Sequence, residues 1–429
     1  MSINRFIVRF TVVVVAFAAL VTPTFARYPI GESVVAPSSP AAVITWNGIA
    51  RRTAIQVAGQ STAHAMASIA FVQAAVYDAV VAIEGGYRPY QVRLERLPDA
   101  SLDAAVATAA HHVLVHYFPA QQAALDADYA TALAAVPDGP AKAAGIGVGQ
   151  ATAAGIIARR QGDGLEADIG FAMPAPAPGV WQLPAGQNPM TPWASKLRPF
   201  MLQRPDQFRS GPPAALTSRT WAADFNEIKI IGSIDSSSRT AEQTDIARFW
   251  TTNPVVQYNA AFEKIALERG LDTLQTARLF AMGTLVGADA LIACFDAKYI
   301  YLSWRPQYAI QLGESDGNPA TAGDPAWKPL LGAPPHPEYP SGHGCLTGAE
   351  AEVLTSFLGT NQIDIDLTST APNLLQPQRH YERANDLTRE VMNARVWGGI
   401  HFRDATVQGM VLGRKVANWS LKHYFLVQN

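Results

Sequence analysis

Cysteine is almost absent: Cys294 and Cys345 are the only two in 429 residues. That excludes a disulfide-built scaffold, and their spacing matches no zinc pattern. The two could pair in an oxidising compartment or stay as buried thiols, since pairing depends on a Cα separation that sequence does not carry. Charge is scarce as well. Charged residues make up 16% of the chain, and 33 basic against 35 acidic side chains leave a net charge of -2. No general attraction to nucleic acid or to an anionic membrane follows, so any anion site must be local. Strand-like alternation is confined to one convincing stretch, residues 363–370. Past the N-terminus, the apolar segment from Ala65 to Ile83 is interrupted by Gln73 and Asp78, so no bilayer span is expected there.

What the chain does have is apolar bulk and breakers. At 48% hydrophobic it can bury a large core, and 32 Gly with 30 Pro call for long loops. Arg5 and Arg9 precede an apolar run from Phe10 to Val21, and Thr24-Phe25-Ala26 follows Pro23. This reads as a signal peptide over residues 1–26, which makes the mature protein secreted or periplasmic, with no stable membrane insertion. Helical patterning then covers 41–56, 62–83, a Ser101-capped segment ending at Pro119, 120–136 and 141–160. Short connections between Ala-rich helices predict antiparallel packing. Gly145-Ile-Gly147-Val-Gly149 lies inside one of them without a preceding strand, so close helix packing is a better reading than a nucleotide loop. His112 and His116 stand one turn apart but lack a third ligand, and His111 is expected on an exposed face.

Residues 162–217 exclude long helices through Met173-Pro-Ala-Pro-Ala-Pro-Gly179 and further Pro and Gly. Trp181, Trp193, Phe200, Met201 and Phe208 argue for an ordered loop, over the mouth of a site or wrapped between two helical halves. Helices resume at Ser218. Thr240 and Gln243 form a capping box, 254–269 follows, and Asp272 caps a long helix over 273–299. Further helices are expected from His343 to Leu358, over 378–396 and over 405–425. The fold class is therefore all-α, a helical bundle with minor strand content. Its halves are expected at 27–235, which includes the Pro-rich loop, and at 236–429.

Three stretches of the second half carry the chemistry. They read Lys298-Tyr-Ile-Tyr-Leu-Ser-Trp304-Arg305-Pro306, Pro340-Ser341-Gly342-His343 and Arg395-Val-Trp-Gly-Gly-Ile-His401. Together they supply one Lys, two Arg, a hydroxyl, a glycine N–H and two imidazoles. Arg forks match the oxygens of a tetrahedral anion, Lys adds a point charge, and glycine lets the backbone come close. One imidazole can act at the central atom and the other as acid or base beside it.

Lys-x6-Arg-Pro, Pro-Ser-Gly-His and Arg-x5-His, in this order, resemble the signature shared by vanadium-dependent haloperoxidases, bacterial class A acid phosphatases and membrane lipid phosphatases. The motifs occupy about the last third of the chain. The Tyr77-Asp78 pair, the Tyr87-Arg-Pro-Tyr90 turn and the Trp304-Arg305-Pro306 form resemble the bacterial haloperoxidase-like branch. Two departures are Ala394, where Ser often precedes the second Arg, and Asp404, three rather than four residues after the last His.

The resemblance implies vanadate as cofactor, with His401 as the ligand to the metal. Lys298, Arg305, Ser341, Gly342 and Arg395 would hold its oxygens, and His343 would be the acid/base. Lys298 would also polarise the activated peroxide, and Asp404 could orient the His401 ring. Hydrogen peroxide, a halide and a small organic acceptor would be the substrates. His336, in a position where bromoperoxidases tend to have His, favours bromide or iodide over chloride, or is an ordinary loop residue. Trp304 lines the halide pocket or packs in the core. The same cage would serve an acid phosphatase through a phosphohistidine at His401, with His343 protonating the leaving alcohol. A reading of another class is a non-catalytic phosphate or vanadate binder. Large apolar helical faces also make a homodimer an expectation.

Overall fold

The computed structural model describes residues 38–184 and 186–428, so the signal segment expected at 1–26 lies outside it. The helices are α1 Ala41–Arg51, α2 Thr62–Glu84, α3 Leu102–Tyr117, α4 Gln122–Ala134, α5 Pro140–Arg160, α6 Arg219–Ile231 and α7 Ala241–Phe249. They continue as α8 Pro254–Glu268, α9 Thr273–Tyr301, α10 Pro306–Gln311, α11 Gly342–Leu358, α12 Ala384–Trp397 and α13 Arg403–His423. A π-helical turn, Arg52–Val57, extends α1. Among the described residues a single antiparallel hairpin joins β1 Gln362–Thr368 to β2 Gln378–Arg383, with Ile365 opposite Tyr381. The all-α class with minor strand content is what the chain adopts.

Two helices are apolar on every side and must be surrounded. Every residue of α2 from Ala65 to Ile83, and of α9 from Leu279 to Tyr299, is buried. Both are long and apolar enough to cross a membrane, and both are enclosed by the core instead. α9 is the axis: α2, α8, α11 and α13 pack around it. Its N-cap is Asp272, which accepts from the Gln275 N–H at 2.7 Å. The capping box of Thr240 and Gln243 opens α7 as expected.

Where two helices approach most closely, glycine makes the approach. A Cβ on Gly413 of α13 would lie 2.0 Å from the Cys345 carbonyl oxygen, and one on Gly348 of α11 would lie 2.5 Å from that of Met410. This seam sets the N-termini of α11 and α13 side by side, and the Ser341 N–H donates to Ala405 O at 2.9 Å. Gly145 and Gly149 make the same kind of seam between α5 and α3, while Gly147 meets nothing. Helix packing is thus the role of that glycine run.

Buried carboxylates tie the loops to the bundle. Asp78 of α2 accepts the N–H groups of Tyr90, Gln91 and Val92. Asp289 of α9 accepts those of Phe200, Met201 and Leu202. The long 162–217 loop is therefore ordered by the central helix. Tyr299 and Tyr301 also donate their hydroxyls to Met190 O and Ser210 O of the same loop.

Two local expectations fail. Residues 378–383 form β2 rather than the start of a helix. Arg379 and Tyr381 alternate inward there, Arg379 pairing with Asp245 and Tyr381 donating to Glu390. Strand pairing with β1 outweighs the helical pattern. His111 is buried rather than exposed: its ring stacks on Tyr129, and Nε2 lies 2.8 Å from Asp126.

The seam yields one prediction. Gly413→Ala should cost roughly 1–3 kcal/mol by overpacking, whereas Gly147→Ala should add about 0.5–1 kcal/mol in open helix. Urea unfolding of both variants checks this, and equal stability for Gly413→Ala would contradict the contact. A second prediction concerns Glu350 of α11, which is fully buried with neither carboxyl oxygen hydrogen-bonded. Burial holds its pKa well above the ordinary 4.5. The folded state therefore keeps a proton that the unfolded chain releases as pH rises above that value, and stability is lost in that direction. Glu350→Gln should unfold at higher urea than the parent at pH 8, with the gap closing towards pH 4.

Candidate active site

The site begins where α9 ends. Lys298 lies in its last turn, with Nζ donating to Pro337 O at 2.8 Å and Glu338 O at 3.0 Å. Leu302 then takes a left-handed turn at φ 48°. Arg305 follows as N-cap of α10, and its guanidinium turns back into the protein. Nε donates to His336 O at 3.0 Å, Nη1 to Ile400 O at 2.9 Å, and Nη2 to His336 Nδ1 at 2.9 Å. The short run 334–338 thus binds both cations of the first motif. It is pinned in turn by the Glu338 N–H, which donates to Ser303 O at 2.9 Å.

The second motif opens α11. Ser341 is its N-cap, with Oγ accepting from the Gly344 N–H at 3.3 Å. Gly342 and His343 form the first turn, where backbone N–H groups have no partner within the helix. A Cβ on Gly342 would meet nothing within 4 Å. The third motif bridges α12 and α13. Arg395, in the last turn of α12, donates from Nη1 to Trp250 O at 2.7 Å. Gly399 makes the bend to His401 at φ 74°, where a Cβ would sit 2.4 Å from Gly232 O.

His336, Gly342, His343, Arg395 and His401 line one cavity of about 560 Å³. Its other walls come from Ser61 and Thr62 at the start of α2, Leu291 and Phe295 of α9, and Trp250, Thr251, Asn253 and Pro254 at the entry to α8. Gln187 and Met190 of the long loop also line it, and the Met190 N–H donates to Pro335 O at 2.7 Å. The loop therefore forms part of the cavity wall.

The electrostatics are lopsided. Burial pushes Lys298 down to about 8, Arg395 down to about 9 and Arg305 down to about 10, with repulsion from Arg305 adding to the first two and Glu338 partly offsetting the third. Burial, reinforced by the same cations, holds His336, His343 and His401 well below their ordinary value. One carboxylate answers them. Glu338 lies 2.9 Å from His401 Nδ1 through Oε1, and burial raises it to about 8. Two buried nitrogens facing this region, the Arg395 Nε donor and His343 Nε2, have no partner. Among the described residues no Asp or Glu lines the cavity.

Two sequence candidates lie elsewhere. Trp304 does not face the cavity. It is 1% exposed and stacks on Trp221 at 5.9 Å in a separate apolar cluster, so the packing alternative holds for it. Asp404 does not reach His401: its N–H donates to Asp224 and its Oδ1 accepts from Gln408. The residue in that place is Glu338, which sequence reasoning missed. Its one signal was an acid inside an otherwise apolar, Pro-rich turn just before Ser341. Cys294 and Cys345 are free buried thiols, with Cys294 Sγ 3.7 Å from Pro340 O.

Residues 278–429 match the family model described as the VCPO second helical-bundle domain. Vanadium chloroperoxidase of Curvularia inaequalis is 24% identical over 280 residues, which is 49% of this chain and 45% of that protein. The match thus spans less than half of that relative's length. A crystal structure of the first bacterial vanadium-dependent iodoperoxidase aligns with a TM-score of 0.75 at 24% identity, covering 91% of this chain and 98% of that one. A holo-type bacterial vanadium-dependent chloroperoxidase aligns with a TM-score of 0.71 at 19% identity, covering 84% of this chain and 91% of that one. The chain accordingly has the vanadium-dependent haloperoxidase-like fold.

Proposed function

We propose that the protein is a vanadium-dependent haloperoxidase that oxidises bromide or iodide with hydrogen peroxide. The observation that carries this reading is the unbalanced cage. Three buried cations face one carboxylate, and a guanidinium Nε and an imidazole Nε2 stand unpartnered in the same region. An orphaned buried guanidinium N–H is costly, an oxyanion would satisfy it, and a protonated oxygen on that anion would satisfy the imidazole nitrogen. Among the described residues no group of three or more His, Cys, Asp or Glu is placed to hold a bare metal ion. The donor set instead suits a metal that arrives already surrounded by oxygens, such as vanadate.

Lys298, Arg305 and Arg395 would hold the oxygens, with Ser341 and the Gly342 N–H as neutral donors. His401 would be the one protein ligand to the metal. When bound, vanadate supplies a Lewis-acidic centre that activates hydrogen peroxide. His343 is kept uncharged at neutral pH by burial and by Arg395. It can therefore take a proton from an incoming hydroperoxide at its free Nε2 and later return it. His336 accepts from Arg305 through Nδ1 and packs 5.5 Å from Phe295, so it presents a polar ring beside an apolar wall. That environment suits a large, weakly hydrated halide, which is why bromide or iodide is preferred here over chloride. The organic acceptor would enter the cavity along Leu291 and Phe295. Export guided by residues 1–26 would place the enzyme outside the cytoplasm.

Removing either arginine should expose the cage. Arg305→Ala or Arg395→Ala should weaken orthovanadate binding by roughly 2–5 kcal/mol, the range for truncating one partner of a buried charge pair. Isothermal titration checks it, and a smaller loss at both positions would remove them from the cage. The activity itself is tested by bromide-dependent halogenation of a dye-forming phenol, with and without added vanadate. A parallel assay follows p-nitrophenyl phosphate hydrolysis by vanadate-free protein. Halogenation that requires vanadate is the expected result. Phosphate release without halogenation would make the protein an acid phosphatase with the same cage, and anion binding with neither reaction would make it a binding protein.

A further inference from the structure

His401 is gripped at both ring nitrogens. Nε2 lies 3.3 Å from Arg305 Nη1, and Nδ1 lies 2.9 Å from Glu338 Oε1. A guanidinium has only donors, so Nε2 must offer its lone pair. The same Oε1 already accepts the Phe402 N–H at 3.0 Å, so it accepts again from an Nδ1–H. Both contacts specify one tautomer. Neither side chain can drift, because each is 2% exposed. Glu338 is also fixed through its backbone, which receives Lys298 Nζ and donates to Ser303 O.

We propose that Glu338 is the positioning residue of the site, holding His401 with its proton on Nδ1 and its Nε2 lone pair aimed at the bound oxyanion. The inference rests on the oxyanion-cage reading given above. It assigns to an acid before the second motif the task that Asp404, committed to Gln408 and the Asp224 contact, does not perform. Partners of this kind set both the orientation and the basicity of a ligating imidazole.

The consequence is selective. Vanadate would bond to the His401 nitrogen, whereas inorganic phosphate held by the cations alone needs no such bond. Glu338→Ala should therefore lose roughly 10–100-fold in orthovanadate affinity, while phosphate affinity stays within about threefold. Glu338→Gln, whose amide oxygen still accepts from Nδ1–H, should recover most of the loss. Titration calorimetry with each anion reads the affinities, and ¹⁵N shifts of histidine-labelled protein read the His401 tautomer.

An equal loss for both anions, unchanged vanadate affinity in Glu338→Ala, or a Gln variant as weak as Ala would each overturn the positioning role. So would an Nε2–H tautomer in the parent protein, a result that stands even if Glu338→Ala does not fold. Parent protein that binds neither anion would instead remove the cage reading itself.

Discussion

Three cationic side chains, Lys298, Arg305 and Arg395, are taken out of water beside a single carboxylate, and the surrounding structure is arranged to make that tolerable. Lys and Arg have only donors, so each needs acceptors close by. Backbone carbonyls supply them: Pro337 and Glu338 for Lys298, His336 and Ile400 for Arg305, Trp250 for Arg395. Carbonyl dipoles orient the cations without neutralising them. Burial depresses the pKa values of all three, and the charge left over attracts a compact, highly charged anion. Glu338 balances only part of the charge, and does so from behind His401 rather than from the cavity wall.

Such a site needs a stiff frame, because a small displacement would leave buried charge without its acceptors. α9 provides the axis, enclosed from Leu279 to Tyr299. The glycine seam between α11 and α13 brings backbone against backbone. The Ser341–His343 turn and the His401 bend therefore meet at one edge of the cavity. The long loop closes the other side, held by the N–H groups that converge on Asp289. Its order comes from buried groups outside it, among them Asp289, Arg160, Asp296 and two tyrosine hydroxyls, and its own regular structure among the described residues is one short 3-10 turn, Pro192–Ser195.

Most of the helical architecture was legible in the sequence, since caps, breakers and apolar runs are local signals. The Asp272 cap, the Thr240–Gln243 box and the Gly145–Gly149 run all act as their local chemistry suggests. The failures share one cause. Residues 378–383 have a helical pattern but a strand partner, and the partner lies in β1. His111 faces Tyr129 and Asp126 because α4 folds over α3. Trp304 adjoins Arg305 in sequence, but the chain turns between them, so one side chain meets Trp221 and the other meets His401.

By itself, the sequence determined the kinds of groups available. A chain nearly balanced in charge carries two Arg, one Lys and two His in three short motifs, within a frame of apolar helices. Residue types and spacings decide that much, because donor chemistry and helix propensity belong to each residue and its near neighbours. Only the tertiary structure decided which groups share a cavity, which nitrogen of His401 faces Arg305, and that Glu338 rather than Asp404 stands at its back. Those outcomes depend on contacts between segments far apart in the chain, and on burial, which alone removes the water that would otherwise screen each charge.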